Sequence, residues 1–151
     1  MNLLPRRSLL AIAAVIDIAH HARPAPIAAK TLSARHNLPP RHLETLLQAL
    51  VRAGILKGIR GPRGGYELAR ERRRITVGAI VRAALGPAGN GDASEEGPPS
   101  KLVSLVVLPT IDSASQSFLE KLDEITVEDL CRRAESQAVF GEGQVGADFS
   151  I

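Results

Sequence analysis

At 151 residues, 44% of them hydrophobic, the chain is long enough for one packed domain with an appendage. Aromatic residues make up only 3%, which puts the core on Leu, Ile, Val and Ala. A single cysteine excludes an internal disulfide framework and suits a reducing compartment. The net charge of +3 sums two unlike parts: 15 Lys and Arg against 4 Asp and Glu through Leu85, then 4 against 12 from Gly86 onward, +11 and −8. So basic a front part points to a polyanionic partner, most simply nucleic acid, with a merely solvated basic surface as the plainer alternative.

The chain opens on Arg6-Arg7 and an apolar run to Ile16, the outline of an export signal. Asp17 cuts that run after about nine residues, and His20-His21-Ala22-Arg23-Pro24 offers no small-x-small cleavage site. The run is also far from the ~20 residues that span a bilayer. It is read as a first helix from Arg7 to His21, buried nearly all round and ended by Pro24, in a cytoplasmic protein without a membrane partner. Pro26 pre-sets a turn before a second helix, Ile27 to His36, with Ile27, Ala28, Leu32 and Ala34 at packing positions.

After the tight connection His36-Asn37-Leu38, Pro39-Pro40 opens a third helix, where a missing amide costs little. From Arg41 to Ala53 the apolar Leu43, Leu46, Leu47, Leu50 and Val51 recur at helical spacing, and Arg41, Glu44, Thr45, Gln48 and Arg52 fall between them. Two short helices with about three residues between them make a helix-turn-helix. Gly54 stops the third helix as a left-handed residue does. The runs Ile55–Ile59 and Tyr66–Leu68 are then β-prone and flank Arg60-Gly61-Pro62-Arg63-Gly64-Gly65, which predicts a hairpin with two arginines at its tip. A recognition helix followed by such a wing is a DNA-binding pattern.

Arg70 to Arg74 is a basic exit, and Ile75 to Leu85 a closing helix with Thr76 as N-cap. Seven of the fourteen residues from Gly86 to Pro99 are Gly or Pro, with Asp92, Glu95 and Glu96 among the rest, which predicts a flexible acidic loop over 86–100. Lys101 to Arg133 is again helical, with Pro109 expected to kink it. Its apolar stripe, Leu105, Leu108, Ile111, Phe118, Leu122 and Ile125, must be buried somewhere. Pairing with a second copy fits a two-fold DNA site, and folding back on its own domain is the alternative. A short helix, Thr126 to Ala134, follows, with Thr126 and Asp129 placed for capping, and residues 135–151 form a polar tail expected to fray. The predicted fold is mainly α with a small β-hairpin wing: a winged helix-turn-helix domain over 1–85, then a long dimerisation helix with its short successor over 101–134.

Thr31-Leu32-Ser33-Ala34-Arg35-His36, Leu43-Glu44-Thr45-Leu46-Leu47 with Leu50, Gly54-Ile55-Leu56, the wing motif Arg60-Gly61-Pro62-Arg63-Gly64-Gly65-Tyr66, Ile75-Thr76-Val77 and Ile125-Thr126-Val127-Glu128-Asp129-Leu130 carry a resemblance. Over roughly residues 8 to 133 the chain resembles the Rrf-type transcriptional regulators, the group of IscR, NsrR and CymR. The resemblance implies a dimeric winged helix-turn-helix regulator, by default a repressor. The start of its recognition helix would read the major groove through Arg41 and Glu44, and Arg60 with Gly61-Pro62 would enter the minor groove. Cluster-binding members carry three cysteines before the dimerisation helix, whereas the loop 86–100 has none and the chain's only cysteine is Cys131. A cluster needs several such ligands, so no cofactor is expected. Cys131 reads as a packing or idle thiol, with a single-thiol redox switch as the alternative. The family's basic-aromatic opening is also absent, and whether Arg6 and Arg7 replace it stays open.

On physical grounds alone, Arg41, His42, Thr45 and Gln48 can reach base edges, Arg being the natural partner of guanine, and Glu44 can accept from cytosine or pair within the helix. Arg60 and Arg63, beside Gly61, Pro62 and Gly64, suit a narrow minor groove. Lys30, Arg35, Arg52 and Lys57 read as phosphate contacts or as solvated charges. Enzymatic readings fail. The glycine loop lacks the Lys-Ser/Thr of a phosphate loop, His42-x-Glu44 lacks its cysteine pair, and the four histidines are too scattered for a metal site. A winged-helix protein–protein adaptor, or a sensor acting through a partner, is the non-DNA alternative. Operator, target genes and any small-molecule or protein effector are not legible.

Overall fold

The computed structural model describes residues 2–22, 25–86 and 97–140. Six α-helices and a two-stranded antiparallel sheet follow in the order α1 (Arg6–His21), α2 (Ala29–His36), α3 (Pro40–Arg52), β1 (Leu56–Ile59), β2 (Gly65–Leu68), α4 (Val77–Leu85), α5 (Leu108–Leu122) and α6 (Val127–Ser136). The core is aliphatic, as the composition predicts. Ala11, Val15 and Ile18 of α1 meet Leu43, Leu47 and Leu50 of α3, Ile80 and Ala84 of α4, and Val127 and Cys131 of α6. The helix α1 is the hub, packing against α3, α4, α6 and β2. It is not buried all round, however. Its inward face is Ser8, Ala11, Ala14, Val15, Asp17 and Ile18, while Leu9 stands in solvent at 41% exposure, so it is amphipathic. Pro24, the expected stop, lies outside the described residues.

The second helix begins two residues later than predicted because Ile27 does something else. Its N–H donates to the Tyr66 carbonyl (3.0 Å) and its carbonyl accepts from the Tyr66 N–H (2.8 Å), adding a one-residue bridge to the wing. A Cβ on Gly65 would stand 2.4 Å from the Ile27 carbonyl oxygen, so glycine is needed where the two segments touch. Within α2 only Leu32 is buried; Ala34, expected inward, is exposed. Asn37 then takes a left-handed conformation (φ 52°), and Pro40 starts α3 at its first position. Gly54 closes α3 with φ 74°, and the Ile55 N–H returns to the Leu50 carbonyl at 3.0 Å.

Strands β1 and β2 pair from Leu56↔Leu68 to Ile59↔Gly65. A 3₁₀ turn, Arg72–Arg74, leads to α4, whose first turn is capped by Thr76 accepting from the Ala79 N–H at 3.1 Å. The triplets Ile75-Thr76-Val77 and Ile125-Thr126-Val127 lie antiparallel: Val77 N–H donates to Ile125 O (2.8 Å) and Val127 N–H to Ile75 O (2.9 Å). Each threonine caps the helix after it, and Thr126 forms a reciprocal capping box with Asp129. Arg82 of α4 grips Asp123 at the end of α5 with two bonds of 2.6 and 2.9 Å.

The long helix starts at Lys101, passes through a π-helical segment (Val103–Val107) and continues as α5. Pro109 lacks an N–H and crowds the carbonyl four residues back; the widened π turn just before it absorbs that conflict. Helicity does not run unbroken to Arg133. It stops at Asp123, and Ile125, predicted on the apolar stripe, sits instead in the connection paired with Ile75–Val77. The tail is ordered further than predicted: α6 extends to Ser136, and Phe140 stacks on His20 at 4.4 Å. Residues 141–151 lie outside the described part, as does most of the predicted acidic loop.

Candidate nucleic-acid interface

The helix α3 buries Leu43, Leu46, Leu47 and Leu50, which turns Arg41, His42, Glu44, Thr45 and Gln48 to solvent. All five predicted base-reading residues are therefore exposed. The Thr45 hydroxyl donates to the Arg41 carbonyl at 3.0 Å, which leaves its oxygen only the role of acceptor toward a base. Among the described residues, neither Arg41 nor Glu44 has an ion-pair partner.

The wing follows directly, because β1 starts at Leu56 and packs against α3. Arg70, at the far end of the hairpin, donates its Nε–H to the Gly54 carbonyl (3.1 Å), and Ala69 N–H reaches Ile55 O (3.0 Å). These bonds tie the base of the wing to the end of α3. At the tip, Arg60, Gly61, Pro62 and Arg63 are exposed, and the two arginines have no carboxylate partner among the described residues. Gly61 holds φ 114°, and a Cβ on Gly64 would stand 2.2 Å from the Ile59 carbonyl. Those two glycines are thus required by the hairpin itself, before any close approach to DNA is considered.

The predicted phosphate contacts divide. Lys30 and Arg52 are exposed and unpaired among the described residues. Lys57 spans the sheet to Glu67 at 2.9 Å, and Arg35 turns toward Asp17. Arg7 donates its Nε–H to the Ala84 carbonyl (2.9 Å) and joins α1 to α4, while Arg6 is exposed. The contributions of Arg70 and Asp17 are missing from the sequence reading. The sign of Asp17 was there to see: a lone carboxylate between Ala14 and Ile18 on the inward stripe.

Leu105, Leu108 and Ile111 of the predicted dimer interface are exposed at 72%, 45% and 55%, joined by Leu102 at 66% and Val106 at 55%. Phe118 and Leu122 are half-covered by the body, and Ile125 is off the helix. The described residues do not offer the donor set of an iron–sulfur cluster. The one cysteine, Cys131, is 1% exposed inside the core, where burial pushes its thiol up from the ordinary value. No group of three His, Cys, Asp or Glu among the described residues is arranged to hold a metal ion, and no helix there is long and apolar enough to cross a membrane.

Residues 4–133 match the Rrf2 family, described as iron-dependent transcriptional regulators. A putative HTH-type transcriptional regulator of Synechocystis is 36% identical over 141 residues, covering 93% of this chain and 95% of the relative. Among solved structures, IscR of T. potens superposes with a TM-score of 0.67 at 31% identity, with 90% of each chain covered. CymR of B. subtilis, described as its global cysteine regulator, superposes with a TM-score of 0.64 at 29% identity, covering 88% of this chain and 98% of that one.

Proposed function

Because this chain belongs to the Rrf2 family of DNA-binding transcriptional regulators, which are not enzymes, we propose that it acts as a cytoplasmic homodimer on a pseudo-palindromic operator. It represses by occluding the promoter, and does so without an iron–sulfur cluster. The observation that carries this reading is the pairing of an exposed polar face on α3 with two unpartnered wing arginines, mounted together through Gly54, Ile55, Ala69 and Arg70. Arg41, His42, Glu44, Thr45 and Gln48 meet base edges in the major groove, and Arg60 and Arg63 enter the minor groove beside it. Lys30 supplies a phosphate contact, with Arg52 and Arg6 available for others.

The dimer is supported by the uncovered Leu105, Leu108 and Ile111, whose apolar surface gains by pairing with its own copy. Independence from a cluster is supported by the single, buried Cys131. The experiment is selection of genomic DNA fragments by purified, metal-free protein at physiological salt. Enrichment of a two-fold site is the expected result. A folded, dimeric protein that enriches nothing overturns the proposal in favour of a protein-binding role.

A further inference from the structure

Asp17 is the one carboxylate inside the apolar stripe of α1, and it is 1% exposed. A carboxylate out of water is costly unless its oxygens are filled. Here both are. Oδ1 accepts from Arg35 Nη1 and from His21 Nδ1 (2.9 Å), and Oδ2 accepts from His36 Nε2 (2.9 Å). Because a carboxylate only accepts, His21 carries hydrogen on Nδ1 and His36 on Nε2. The Arg35 nitrogen 3.0 Å from His21 Nδ1 is then a close neighbour, not a bond. His21 belongs to α1 itself, one turn along. Arg35 and His36 are the last two residues of α2.

That placement matters because the other fixed points of α2 lie at its start and middle. The Ile27–Tyr66 bridge anchors the residues just before it, Ala29 packs partly on the core, and one side chain of its eight residues, Leu32, is fully buried. The bonds from Arg35 and His36 to Asp17 fix its far end. From His36 the chain reaches the first base-reading residue, Arg41, through links that are each constrained. Asn37 is left-handed, and the Leu38 N–H returns to Ser33 O at 3.0 Å. The Leu38 carbonyl accepts from Ser33 Oγ at 2.6 Å, and Pro39 and Pro40 have fixed φ. The angle at which α2 is held is passed on to the first turn of α3.

We propose that Asp17 is a positioning residue for DNA recognition: through Arg35 and His36 it fixes the end of α2, thereby aims the start of α3, and withdraws Arg35 from the phosphate-contacting set. The inference rests on the DNA-binding reading above. Removing one partner of a buried ionic cluster destabilises the fold whatever else the cluster does, so the informative readout is discrimination between DNA sequences and not melting temperature.

The test uses two probes, a duplex selected by the wild-type protein from a random-sequence library and poly(dI-dC). Both are titrated against the folded, active fraction over a range of salt. Asp17→Asn is expected to weaken binding to the selected duplex roughly tenfold or more, while binding to poly(dI-dC) stays within about twofold. Arg35→Gln is expected to do the same and to leave the slope of log K against log salt unchanged. Lys30→Gln weakens both probes alike and lowers that slope by about 0.9, the signature of one lost phosphate contact. A folded Asp17→Asn or Arg35→Gln that binds the selected duplex within about twofold of wild type overturns the proposal. So does a slope reduced by about 0.9 in Arg35→Gln, since Arg35 would then be a phosphate contact. If Asp17→Asn does not fold, Arg35→Gln and His36→Gln, whose side chains are partly in solvent, decide by the same criteria. A wild-type protein that selects no sequence overturns the DNA-binding reading, and this inference with it, whatever the variants do.

Discussion

The face built by α3 and the wing and the outward face of the long helix that starts at Lys101 both stand in water, for opposite reasons. On the first, Arg41, Arg60 and Arg63 are well solvated and lose little by waiting for a partner. On the second, Leu102, Leu105, Val106 and Ile111 keep more than half their surface in solvent, which is unfavourable at every moment. The difference teaches what kind of partner each face takes. The charged face, tied to the body through Gly54, Ile55, Ala69 and Arg70, suits a reversible, salt-dependent encounter. The apolar face suits an interaction that persists with the folded state, as in the proposed dimer.

The largest effect that could break this contrast belongs to the π-helical segment that leads into α5. A buried leucine or isoleucine is worth about 1.5–3 kcal/mol, and a two-fold interface counts it twice. Leu105→Asp is therefore expected to weaken self-association roughly 100-fold to 10,000-fold, read by sedimentation equilibrium. An unchanged association constant would remove the apolar face from the interface. Next comes Arg60→Ala, expected to cost about 1–3 kcal/mol in operator affinity while leaving the dimer intact. Operator binding equal to wild type would show the wing tip to be idle.

Smaller again is the distinction among lysines. Lys30→Ala lowers the salt slope by about 0.9, whereas Lys57→Ala changes it less, because Lys57 is already occupied by Glu67. Equal slopes for the two variants would make the cross-strand pair irrelevant to binding.

The mildest effect concerns acid stability where α5 and α6 meet the body. The Arg82 guanidinium holds the Asp123 carboxyl below the ordinary carboxylate range, and the bond from the Thr126 N–H does the same for Asp129. Both groups stay charged to lower pH in the folded chain than in the unfolded one. The stability they add is complete above about pH 4 and is lost as pH falls through their folded values. Asp129→Asn is thus expected to melt below wild type at neutral pH and to converge with it in acid. A constant gap across the range would assign the effect to something other than this carboxylate.

What could be read in the sequence was whatever local rules determine. The amphipathic spacing of α3, the stop at Gly54, the hairpin around Arg60–Gly65 and the caps at Thr76, Thr126 and Asp129 all depend on neighbours within a few residues. What escaped depends on distant partners. Ile27 has helical company in sequence but is claimed by Tyr66, which delays α2. Ile125 fits the period of α5 but is claimed by the Ile75–Val77 segment. Asp17 looked like the end of an apolar run, since its meaning lies in Arg35 and His36 on another helix. The candidate interface divides the same way: exposure along α3 was legible, while the commitments of Arg35 and Lys57 to carboxylates were not.

The paired Ile-Thr-Val triplets and the Arg82–Asp123 grip have one more consequence. They fasten the chain at one corner both before it departs after Leu85 and after it returns at Leu122. Everything between is an excursion with its two ends already joined. Changing the length of such an excursion costs only with the logarithm of its length. A body closed in this way keeps its corner fastened when the connection between changes length, and the face of α3 and the wing lies outside that fastening.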